Sequence, residues 1–112
     1  MAVYVSNLII NAGTDFNQVF TLESSSNNSV LNLSGYQISS QLRKHSSSSN
    51  YVNFNSQILN ASAGEIKIGL TTSVTSTIRP GRYVYDIVIT APGGTKSRVV
   101  EGMALVREGV TK

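Results

Sequence analysis

A proline–glycine pair, Pro80-Gly81, leads straight into the alternating run Arg82-Tyr83-Val84-Tyr85-Asp86-Ile87-Val88-Ile89. No other junction in the chain restricts the fold as much. Pro80 fixes its own φ and has no N–H to donate, while Gly81 reaches backbone angles closed to other residues, so the pair makes a turn. The aromatic and β-branched residues that follow at period two are how a strand with one buried face is written. This grammar points to a scaffold rather than a catalyst.

The same punctuation recurs from end to end. Residues 2–10 read as a first strand, interrupted by polar Ser6-Asn7, and Asn11-Ala12-Gly13-Thr14 as a turn. Residues 15–23 alternate, with Phe16, Gln18, Phe20 and Leu22 on one face. A polar loop spans residues 24–29. The apolar pair Val30-Leu31 then precedes a turn at Asn32-Leu33-Ser34-Gly35. Residues 36–44 set Tyr36, Ile38 and Leu42 against Gln37, Ser39, Gln41 and Arg43, a strand with one wet face. A serine-rich, mobile tip over residues 45–50 leads to a strand over residues 51–59, with Val52, Phe54 and Ile58 inward. After a turn at residues 60–64, Ile66, Ile68 and Leu70 share one face of the next strand. Residues 71–78 lose the alternation, and Thr71 or Thr72 is placed to cap a single helical turn crossing between sheets. Strands over residues 82–90 and 97–106, joined at Pro92-Gly93-Gly94, complete the chain.

About seven strands at a spacing of roughly 8–12 residues, with almost no helix, predict an all-β chain. The expected architecture is an antiparallel two-sheet sandwich, immunoglobulin-like in its turn into a tyrosine-bearing late strand. No helical crossover long enough for a parallel sheet exists. A five-stranded oligonucleotide-binding barrel is the alternative, and it calls for fewer strands and a basic, aromatic groove. At 112 residues the chain makes one domain, able to bury somewhat under ~70% of its unfolded surface.

Charge is sparse. Only 13% of residues are charged and the formal net charge is +3, so a surface of Ser, Asn, Thr and Gln suits close packing against neighbours without long-range repulsion. The basic residues are scattered, with no run of the kind that tracks phosphates, so nucleic acid is not an expected partner. The absence of cysteine removes disulfides and thiolate metal sites, and agrees with folding in a reducing cytosol. Residues 1–10 lack the basic region and clean apolar core of a signal peptide, and no window approaches the ~18 apolar residues of a membrane span. The Asn-X-Ser sequons at Asn27, Asn32 and Asn60 therefore reflect composition alone.

Catalytic chemistry is poorly supplied. His45 precedes four serines, yet it sits at a loop tip with no acid near it in sequence to orient it. Asp86 and Glu101 fall at comparable distances from the turn near Pro92-Gly93-Gly94, the one pairing of carboxyls across a hairpin. A structural role for Asp86, paired with Arg98 or Arg82, is the simpler expectation. Residues 11–15 lack the repeated acids of a calcium loop. No cofactor or metal is expected. Tyr83 and Tyr85, two apart on an inward face, are expected in the core with a hydroxyl satisfied at the corner.

The segments Asn11-Ala12-Gly13-Thr14-Asp15-Phe16 with Phe20-Thr21-Leu22, and Leu31-Asn32-Leu33-Ser34-Gly35-Tyr36 leading to Gln41-Leu42-Arg43-Lys44, resemble the opening of small immunoglobulin-like domains in tailed-phage virion proteins. Gly64-Glu65-Ile66-Lys67-Ile68, then residues 80–86, then Val100-Glu101-Gly102, extend the likeness over most of the chain. Similar modules occur in short structural proteins of cyanobacterial myophages and at the N-termini of phage upper-baseplate proteins. The resemblance implies a non-enzymatic virion module, made in the host cytoplasm and docked in many copies on major capsid, tail or baseplate subunits. It brings no catalytic residues. A chain this short favours capsid decoration, with a tail or baseplate adaptor second. Carbohydrate binding at a host surface, through the tip loops and tyrosines, is the alternative of another class. The surfaces expected to touch partners are the terminal arms, through Val3, Tyr4, Val5, Arg107, Glu108 and Val110. Apolar Val3, Val5 and Val110 are suited to adding strands to a neighbour or lying on it.

Overall fold

A computed structural model describes residues 4–22, 32–45 and 47–110. The expected loop at 24–29, the pair Val30-Leu31, Val3 and Ser46 lie outside the described residues. Among these residues nine strands and one helical turn follow in order: β1 (Tyr4–Val5), β2 (Leu8–Asn11), β3 (Phe16–Thr21), β4 (Gln37–Arg43), β5 (Val52–Asn53), β6 (Asn55–Asn60), β7 (Glu65–Leu70), α1 (Thr72–Thr75), β8 (Gly81–Thr90) and β9 (Lys96–Arg107). Nine replaces the expected seven because two predicted strands are each broken once. The first divides at Ser6-Asn7, and the strand over residues 51–59 divides at Phe54.

The larger sheet has the order β1–β9–β8–β4–β5, with β2 continuing along β9 the edge that β1 begins. The smaller sheet is β3–β7–β6. Both inner faces converge on one core, so the chain is an all-β, two-layer sandwich. It is not wholly antiparallel. β1 and β2 run parallel to β9, with Tyr4 opposite Val100 and Leu8 opposite Ala104, and every other pairing is antiparallel. A first strand can lie parallel to the last because nearly the whole chain intervenes as its crossover, meeting the long connection that parallel pairing needs.

Alternation explains the burial. Ile66, Ile68 and Leu70 on β7 and Tyr85, Ile87 and Ile89 on β8 are buried, while Lys67, Asp86 and Val88 between them reach toward solvent. Each fully buried branched side chain stabilises the sandwich by about 1.5–3 kcal/mol. Phe54 sits where the chain leaves one sheet for the other. Its ring is tilted against Phe16 at 6.1 Å and edge-on to Tyr85 at 6.2 Å, and its N–H donates to the Ser40 carbonyl at 3.0 Å. One irregularity on β9 matters for its faces. Pairing slips between Ile87 and Val88, and both Val99 and Val100 are buried, as a bulge permits.

The crossing turn is a real helical turn, but it is capped from afar. Thr71 makes no side-chain cap bond. Instead the Asp15 carboxylate, 57 residues away, accepts the Thr72 N–H and hydroxyl, each at 2.8 Å. Those two bonds hold the Asp15 carboxyl below its ordinary pKa. Buried Thr75 fastens the same corner, donating to the Thr14 carbonyl at 2.8 Å and accepting the Gly13 N–H at 3.1 Å. Gly81 then opens β8 at φ +146°, the left-handed region that glycine tolerates.

Candidate functional site

Of the predicted contact residues, Val3 lies outside the described residues. Tyr4 and Val5 form β1, so the N-terminal arm already spends one backbone edge on β9. Val5 is 77% exposed opposite Glu101, and Val110 is 99% exposed. Arg107 ends β9 opposite Asn11, its carbonyl accepting the Ala12 N–H at 2.9 Å, and Glu108 is exposed just beyond it. Among the described residues, Val5 and Arg107 do not lie side by side. From Glu101 to Arg107 is six residues, roughly 20 Å along a strand.

What the structure gathers instead is a strip on the outer face of the larger sheet. Ile9 on β2 faces Leu105 on β9, and Met103 follows two residues earlier on the same face, opposite Val84 of β8. Ile9 is 58%, Met103 45% and Leu105 41% exposed. With Val5 they line the β1–β2 edge, and no further strand pairs with that edge among the described residues. Alternation in residues 8–11 and 103–107 carried the signal for this strip. Only the parallel register brings the two segments side by side.

A backbone knot holds the edge in place. At Ser6-Asn7 the N-terminal strand breaks over Gly102, where an added Cβ would come within 2.1 Å of the Ser6 carbonyl oxygen. The Ser6 N–H donates to the Glu101 carbonyl at 2.9 Å, and the Asn7 side chain accepts the Met103 N–H at 3.1 Å. The Tyr85 hydroxyl donates to the Ser6 carbonyl at 2.5 Å. Burial pushes the Tyr85 phenol above its usual pKa of 10.0. Tyr85 is buried in the core as the inward pattern implied, whereas Tyr83 is only partly buried at its edge and donates to the Arg79 carbonyl at 2.7 Å, at a different corner.

Asp86 and Glu101 are directly opposed on β8 and β9. Asp86 is bound to Arg98 Nε at 3.2 Å, with both side chains substantially exposed, a pairing worth about 0–1 kcal/mol. They stand on an open sheet face, not across a cleft. His45 is exposed, and its N–H and carbonyl both close a turn with Ser48. The described residues contain no group of three His, Cys, Asp or Glu placed to hold a metal ion.

No family model matches the chain, and no curated protein does. Among solved structures it is similar to an internalin-like protein of Listeria monocytogenes, with 12% identity and a TM-score of 0.46 over 96% of this chain and 28% of that one. It is also similar to a family 123 glycoside hydrolase from Clostridium perfringens, with 16% identity and a TM-score of 0.46 over 100% of this chain and 24% of that one. The chain thus spans about a quarter of the length of each.

Proposed function

We propose that this chain is a structural protein of a tailed-phage virion, an immunoglobulin-like sandwich that docks in many copies on the particle as capsid decoration. The immunoglobulin-like reading draws support from strand order. Labelled by that fold, β3–β7–β6 stand as B–E–D and β9–β8–β4–β5 as G–F–C–C′. Tyr83, near the start of β8 and bonded to a carbonyl four residues upstream, has the form of a tyrosine corner.

The observation that carries the docking reading is the apolar strip of Val5, Ile9, Met103 and Leu105 beside an edge that no further strand pairs among the described residues. An open edge flanked by exposed apolar side chains is a surface that pairs with another chain unless something covers it. A capsid subunit offering a strand would satisfy the backbone and bury the strip together. Binding the assembled lattice and not its dissociated subunits stabilises the lattice by mass action. Weak single contacts suffice where one copy touches several neighbours. The test is to locate the tagged chain in density of purified particles. Signal over the capsid lattice supports decoration, and signal confined to tail or baseplate supports the adaptor role. Presence only in infected-cell cytosol defeats the virion reading.

A further inference from the structure

The end of the sandwich where β4 leaves the larger sheet holds a cleft of about 540 Å³, within the range of small-ligand sites. It lies apart from the apolar strip. Scattered in sequence, Arg43, Lys44 and Arg79 converge on it because the end of β4 pairs with the start of β8, Arg43 opposite Val84. No described residue lining the cleft is acidic.

One tyrosine touches two of the residues that supply these cations. The Tyr83 ring lies under the Lys44 ammonium, 4.9 Å from ring centre to Nζ, while its hydroxyl holds the Arg79 carbonyl at 2.7 Å. Arg43 lines the same cleft. Its guanidinium stacks over Tyr51 at 4.7 Å, donates to Gln41 Oε1 at 2.8 Å and grips the Ser48 carbonyl. Those acceptors are neutral, so the third charge is positioned without being cancelled. Concentrated like charge with no counter-charge in a concave site attracts an anion. The rest of the lining is hydroxyl and amide, from Ser48, Ser49, Asn50 and Thr77, beside the half-exposed Tyr51 ring.

We infer that this cleft binds an acidic saccharide. The carboxylate of a uronic acid meets Lys44 and Arg79, its hydroxyls meet Ser49, Asn50 and Thr77, and its apolar face lies against Tyr51. An extended polyphosphate chain would need a track of cations, whereas here three cations share one pocket rimmed by neutral hydrogen-bonding groups. Neutral groups at that density suit a ligand with many hydroxyls and one carboxylate per sugar. The inference stands whether or not the strip docks on a virion.

The experiment titrates the full chain, labelled for amide NMR, with tetragalacturonate. Cellotetraose, tetraglutamate and an oligothymidylate serve as comparison ligands. Tetragalacturonate is expected to shift the amides of Lys44, Asn50 and Arg79 and to bind at least tenfold more tightly than the neutral tetraose. Arg79→Gln and Lys44→Gln should each weaken binding about two- to fivefold, and the double variant about tenfold. Lys96→Gln, on the distant hairpin, should change nothing. Both cleft side chains are on the surface, so an unchanged circular-dichroism spectrum establishes that the variants remain folded. The inference is overturned if tetragalacturonate produces no shifts at these amides. It is also overturned if tetraglutamate or the oligothymidylate binds as tightly, or if the double variant binds like wild type.

Discussion

Replacing Gly102 by alanine is the sharpest probe of how the N-terminal edge is held. The added methyl would lie 2.1 Å from the Ser6 carbonyl oxygen and 2.8 Å from its carbon, against an ordinary separation of roughly 3.5 Å. The obstacle is backbone, so no rotamer change relieves it, and residues 5–7 must move by about 1 Å or more. Three hydrogen bonds resist that movement: Ser6 N–H to Glu101, Met103 N–H to the Asn7 side chain, and the Tyr85 hydroxyl to Ser6. At about 1 kcal/mol each, their loss sets a ceiling near 3 kcal/mol, and overpacking alone costs about 1–3 kcal/mol. The expected destabilisation is about 2–3 kcal/mol, read as a lower midpoint in urea with little change in slope. A second measurement isolates the cause. In a chain beginning at Leu8, the same substitution meets no Ser6 carbonyl, and its cost should fall below about 0.5 kcal/mol, a non-additivity diagnostic of contact. A Gly102→Ala protein as stable as wild type, or equally destabilised in both backgrounds, would refute the reasoning.

Other outcomes follow from the same geometry. Tyr83→Phe should cost about 1 kcal/mol in urea unfolding by releasing the Arg79 corner, while leaving the fold intact by circular dichroism. Folding raises the Tyr85 phenol above 10.0, so its contribution is intact below pH 10 and lost as pH climbs through the higher folded value. Above pH 10 the wild type should therefore lose stability more steeply than Tyr85→Phe. Asp15 has the opposite sign. Its folded pKa lies below 3.8, so its cap on α1 contributes above that value and fades as pH falls through the folded pKa. Melting curves of wild type and Asp15→Ala should differ at neutral pH and converge in acid.

The sequence revealed the strands more readily than their partners. Alternation in Ile66-Lys67-Ile68 and in Tyr85-Asp86-Ile87 announces a strand and its inward face, since side-chain direction has period two whatever lies alongside. Pairing is non-local and leaves no such mark. The change of sheet at Phe54 was hidden because alternation continues from Val52 through Phe54 to Ile58, although the residues before and after it bond to different sheets. Ser6-Asn7 was visible as an interruption, but its cause lies in Gly102 and Tyr85, far along the chain. Thr71 and Thr72 were reasonable caps by local rules, and a carboxylate 57 residues away supplied the bond instead. The apolar strip and the basic cleft were unread for the same reason. Ile9 joins Leu105, and Arg43-Lys44 joins Arg79, only once β2–β9 and β4–β8 are paired.

The docking reading stands or falls on the strip beside the β1–β2 edge. Ile9→Lys combined with Leu105→Lys changes two outward-facing residues, which should alter stability by no more than about 0.5 kcal/mol each. Counting copies per purified particle by quantitative mass spectrometry, for wild type and double variant expressed to equal levels, is the most direct measurement. The account predicts many copies of the wild type and at least a tenfold loss for the folded variant, whereas equal occupancy of the two would contradict it.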